Sequence, residues 1–119
     1  MADQTITAGV LVQNGSLTKP AVASLTGAND GVFTPTKDRK VIFEVICTAV
    51  GGATVTVGVG AGAYMNSQGV LSTGAMAQND VMMIGPLDSA RFKAMSGTDK
   101  GKIRITTTGT ATVSAILLP

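Results

Sequence analysis

A chain of 119 residues holds one domain and little more, and at that size it can bury a core without disulfide or metal staples. It has no histidine and one cysteine, which excludes the usual Ser–His and Cys–His triads, His-ligated metals and a cysteine-built structural zinc. A net charge of +2 supplies no electrostatic case for nucleic-acid binding, and the scarcity of aromatics removes a stacking platform for single strands.

The core must come from Val, Ile, Leu, Met and Ala, and the heavy use of Thr and Val favours strands. Few charges and many small polar residues give a surface that tolerates close packing against neighbours, which points to assembly. The chain shows no charged-then-apolar leader and no apolar run of about 20 residues. It is therefore expected to be made in the cytoplasm and not to span a membrane.

Residues 1–5 are polar and expected to be a loose arm. Ile6, Val10, Leu11 and Val12 predict a first strand, bulged at Gly9. Asn14-Gly15-Ser16 is a turn. Ala21 to Leu25 is extended, Gly27 to Gly31 is a loop, and Val32-Phe33-Thr34 is a short strand stopped by Pro35. The basic run Lys37-Asp38-Arg39-Lys40 carries an acid and reads as a solvated loop.

Val41 to Ala49 is the longest apolar strand. Val41, Phe43, Val45 and Cys47 occupy one parity, and Ile42, Glu44, Ile46 and Thr48 the other. Two largely apolar faces suit a central strand covered on both sides or abutting another subunit. Glu44 is expected near a rim or beside a base, because a lone buried carboxylate is costly. Cys47, within this strand, is expected to be a buried thiol. Gly51-Gly52 and the alternating Ala53 to Val59 complete a predicted hairpin.

Gly58-Val59-Gly60-Ala61-Gly62 follows a strand, but no amphipathic helix and no GKS or GKT follows it, so it reads as a turn and not a phosphate cradle. Residues 60–80 lack strong periodicity, which marks a functional loop, with one short strand expected around 69–72. Val81 to Ile84 reads as a short buried strand. Gly85-Pro86 is expected to end it, with one helical turn over residues 86–92 that points Phe92 inward. In that turn Arg91 either pairs with Asp88 or reaches a partner chain. The acids Asp30, Asp80 and Asp88 lie beside turns, where Asp bonds its own backbone. Met76, Met82 and Met83 read as gap-fillers rather than a binding surface. Ile103 and Ile105, then Val113, Ala115 and Leu117, alternate with polar residues around Thr108-Gly109-Thr110, which predicts a closing hairpin. The total is about seven or eight short strands, the pattern of an all-β antiparallel β-sandwich or jelly-roll-like barrel in a single domain.

The segment Ile84-Gly85-Pro86-Leu87-Asp88-Ser89-Ala90-Arg91-Phe92, a short Gly/Asp loop and two final strands resemble a group of small tailed-bacteriophage virion proteins. In that group an I-G-P-(L/F)-x-x-x-R-(F/Y) segment precedes the last two strands. The likeness covers residues 81–118 and, more loosely, 40–59. It carries no catalytic residue.

The resemblance implies a capsid decoration or cement protein that binds the outside of the major capsid protein shell, bridges neighbouring capsomers and stabilises the head. It further implies a homo-oligomer, a trimer or other ring, on the virion surface; the residues themselves lead us to expect no cofactor, no nucleic acid and no membrane partner. The N-terminal segment with Ile6, the loop with Tyr64, Met65, Asn66 and Met76, and Arg91 are the candidate partner contacts. A tail or head-tail connector subunit, or a carbohydrate- or surface-binding β-module, are the alternatives; an enzyme is not expected.

Overall fold

Ten strands form among the described residues of a computed structural model, namely 4–18, 20–35, 40–58, 71–88, 92–94 and 100–118. They are β1 (Gln4–Ile6), β2 (Ala8–Val10), β3 (Ala23–Leu25), β4 (Gly31–Phe33), β5 (Lys40–Cys47), β6 (Val55–Val57), β7 (Leu71–Ser72), β8 (Val81–Asp88), β9 (Ile103–Thr107) and β10 (Ala111–Leu117). Sheet I runs β1-β4-β9-β6-β7 and sheet II runs β2-β10-β5-β8, with β3 also pairing β10. The fold is all-β and sandwich-like. The sheets are mixed rather than purely antiparallel, since β1 pairs β4 and β2 pairs β10 in parallel, and they do not close into a barrel.

Period-two patterning places the core between the sheets. On β5 the residues Val41, Phe43, Val45 and Cys47 are fully buried, while Ile42, Glu44 and Ile46 are half-buried on the outer face. Val55, Val57, Ile103 and Ile105 of sheet I face them across the core. Phe33 and Phe43 make an edge-to-face contact at 5.6 Å between the two sheets, a geometry aromatic pairs prefer. Phe92 is buried in the same core, as the sequence predicts.

Both predicted hairpins are corrected. β5 lies in sheet II and β6 in sheet I, so the chain around Gly51-Gly52 crosses between sheets. β9 and β10 are likewise divided, so residues 108–110 form a second arch. The two arches lie side by side. Thr48 and Ala49 donate backbone N–H groups to the Thr110 carbonyl, and Thr108 donates to the Thr54 carbonyl. A Cβ on Gly109 would stand 2.5 Å from the Gly52 carbonyl oxygen. Alternation only says that one face of each strand is buried. Strands side by side and strands face to face across a core produce the same pattern.

The first strand is also corrected. The chain switches sheets at Thr7, giving β1 in sheet I and β2 in sheet II, and Gln4 and Thr5 belong to β1 rather than to a loose arm. The turn at Asn14-Gly15 is present, with Asn14 at φ 59° and the Gly15 N–H donating to the Val12 carbonyl. The short strand expected near 69–72 is β7, and the second half of the 60–80 stretch is ordered by pairing between Ala53 and Met76.

The largest local correction concerns Gly85-Pro86. The strand does not end there: β8 continues to Asp88, and residues 86–88 are extended, not helical. Ile84 pairs with Phe43 and Leu87 with Val41, so Gly85 and Pro86 together face one residue, Ile42. That is a β-bulge. Gly85 sits at φ +118°, and a Cβ there would lie 2.7 Å from the Val41 carbonyl oxygen, so only glycine fits. The extra residue lets Ile84 and Leu87, three apart, both point into the core, and three-residue spacing imitates a helix. Residues 89–91 of the expected turn lie outside the described residues.

Candidate partner-binding surface

The outer face of sheet II is apolar and unevenly covered. At one end Leu17 and Pro20 pack over Gly9, where a Cβ would come within 3 Å of both side chains. At the other end the sheet finishes in β8, and no strand lies beyond it among the described residues. There Val81 (56% exposed) sits beside Ile46, and Met83 (59%) beside Glu44. Met82, of the opposite parity, is 39% exposed at the rim of the core. The expected buried strand over 81–84 is therefore an edge strand with only Ile84 buried.

Its backbone geometry follows from the turn that leads into it. Asp80 donates its N–H to the Ala77 carbonyl and its Oδ2 accepts from the Ala77 N–H, the local Asp bonding the sequence predicts. Asn79, at φ 72°, donates to the Cys47 carbonyl, while the Cys47 N–H donates to the Asp80 carbonyl. This is a bulge with a left-handed first residue. It makes Cys47 and Asp80 a hydrogen-bonded pair. By the alternation of an antiparallel ladder, Val45–Met82 and Phe43–Ile84 are hydrogen-bonded pairs too. Val81 and Met83 consequently direct their N–H and C=O groups away from β5, to the open edge.

A second apolar feature lies at the far end, where the chain changes sheets at Thr7. An open cleft of about 260 Å³ is lined there by Ile6, Ala8, Val10, Phe33 and Leu117, among others. Val10, in its lining, is exposed.

The residues singled out from sequence fare unevenly. Ile6 is buried and reaches the surface only as part of that cleft. Met76 is a core residue, 3% exposed, so it is a gap-filler as expected and not a partner contact. Tyr64, Met65, Asn66 and Arg91 lie outside the described residues, as does most of the glycine run 58–62. Met82 and Met83 are surface residues, contrary to the gap-filling expectation. The Asp30 side chain, just before β4, reaches to β9: its Oδ2 accepts from Arg104 Nη1 at 2.9 Å. Glu44 stands half-buried on the outer face, opposite Ser114 and Met83, and so avoids the core. Cys47 is fully buried, its thiol near the carbonyls of Ala49 and Met76.

Sequence reasoning missed the surface of Val81, Met82 and Met83. One signal pointed to it: Pro86 three residues on. Proline inside a strand belongs to edge strands and bulges, because it cannot donate to a ladder. Among the described residues no group of three or more potential metal ligands occurs. The described aromatics, Phe33, Phe43 and Phe92, are all buried, so none of them offers a sugar-stacking face. No family model matches the chain, and no curated protein or solved structure matches it.

Proposed function

We propose that this chain is a bacteriophage virion structural protein of the decoration type, attached to the outer surface of the major capsid shell and stabilising the head. The observation that carries the reading is the exposed apolar strip of β8, which sits within the very segment, residues 81–118, that resembles the virion proteins. Three consecutive exposed apolar side chains on an edge strand mark a surface suited to a partner. The role is passive: each copy bridges neighbouring shell subunits, so that opening the shell must also break its contacts. Many weak attachments act together, because a multiply held lattice multiplies small affinities. No substrate is turned over.

Purified particles treated with mild denaturant test this. The protein should leave first, the heads should remain intact but become more heat-sensitive, and the copy number should be in the hundreds. A copy number matching one connector ring would move the protein to the head-tail junction. Its absence from particles would overturn both placements.

A further inference from the structure

We propose that β8 is a self-pairing edge: two copies join antiparallel through residues 81–84 about a two-fold axis at Met82, making one continuous sheet from two copies of sheet II. Among the described residues no strand pairs with the outer edge of β8. Natural edge strands are protected by charges, prolines or bulges. Residues 81–84 carry no charge and no proline, and three of the four expose large apolar side chains. The protective devices stand immediately outside this window: the bulge at Asn79-Asp80 on one side and the Gly85-Pro86 bulge on the other. They limit the pairing length without blocking it.

Parity then fixes the register. Only Val81 and Met83 direct backbone groups outward, and they are two residues apart. A two-fold axis at Met82 sets Val81 of one copy opposite Met83 of the other, and every outward N–H and C=O of both residues finds a partner. Met82 meets Met82 in the non-hydrogen-bonded position, where side chains come closest. Asp80, the nearest acid, falls opposite Ile84 and meets no like charge. Val81 and Met83 side chains meet each other on the outer face. Because both copies use the same edge, the contact closes on itself and does not grow into a fibre.

A second copy thus satisfies the outward backbone groups of residues 81–84 on both strands. The contact is smaller than the roughly 1,000 Å² of a stable free interface, so the dimer is concentration-dependent in solution. It is a two-fold contact rather than a ring, and it draws on the same strip as the shell reading, so a dimer found by cross-linking leaves that reading to the particle test alone.

Cysteine cross-linking of the purified full chain tests the register. Cross-strand Cβ atoms in such a pair lie about 4.5–5.5 Å apart and diagonal ones about 7–8 Å, and a disulfide needs roughly 3.5–4.5 Å. Under mild oxidation at high protein concentration M82C should form a covalent dimer at least about tenfold faster than V81C or M83C. Wild type, whose Cys47 is buried, should form none. Adding M83K, at an exposed position, should abolish cross-linking of M82C while leaving the melting temperature unchanged. Equal cross-linking at all three positions, no dimer from M82C, or indifference to M83K would each overturn the proposal.

Discussion

Gly51 and Gly52 are equivalent in the sequence and opposite in the structure, which makes them the sharpest test of the arch between the sheets. Gly51 has open space where a Cβ would go. Gly52 sits at φ +88°, and a Cβ there would stand 2.5 Å from the Met76 carbonyl oxygen. That oxygen cannot retreat freely. It accepts the Ala53 N–H at 3.1 Å, and the Met76 N–H donates back to Ala53 at 2.8 Å. In Gly52→Ala the left-handed backbone costs about 1–2 kcal/mol and the overlap about 1–3 kcal/mol more. Gly51→Ala should instead gain about 0.4–1 kcal/mol through the unfolded chain. At about 4 °C per kcal/mol for a chain of this length, G52A should melt roughly 8–20 °C lower and G51A slightly higher. Thermal melts followed by circular dichroism, with urea titrations to check that the m-value is constant, measure both. If the two variants melt within about 2 °C of each other, the crossing geometry at Gly52 is wrong.

Phe43→Ala removes one ring of the contact that joins the sheets and should cost about 3–5 kcal/mol in urea unfolding, enough to leave a domain of ordinary stability marginal. Asp30→Asn breaks the ion pair with Arg104, whose side chains are each one-third exposed; the loss should be under about 1 kcal/mol and should shrink further with added salt. Cys47 should react with a thiol reagent only as fast as the protein opens, so native labelling should be slow and labelling in denaturing urea immediate. Fast native labelling would place Cys47 outside the core.

The all-β class, the turn at Asn14-Gly15 and most core residues were legible in the sequence, because alternation of apolar with polar residues directly records which side of a strand is dry. β5 is central, as two apolar parities predict, but only residues 41, 43, 45 and 47 are fully buried; 42, 44 and 46, whose parity also read as covered, are half-buried. What alternation does not record is the neighbour. The links at 51–52 and 108–110 look like hairpin turns, yet both carry the chain across the core, because a strand buried on one face is satisfied equally by a partner beside it or opposite it. The bulge at Gly85-Pro86 needed the structure for a related reason: one inserted residue turns period two into a spacing of three, which local sequence cannot distinguish from a helical turn. The exposed strip of β8 was hidden by the same limit. An apolar run looks the same at a sheet's centre and at its edge, and only the order of strands in space decides whether Val81, Met82 and Met83 are covered by the protein's own chain or left for another.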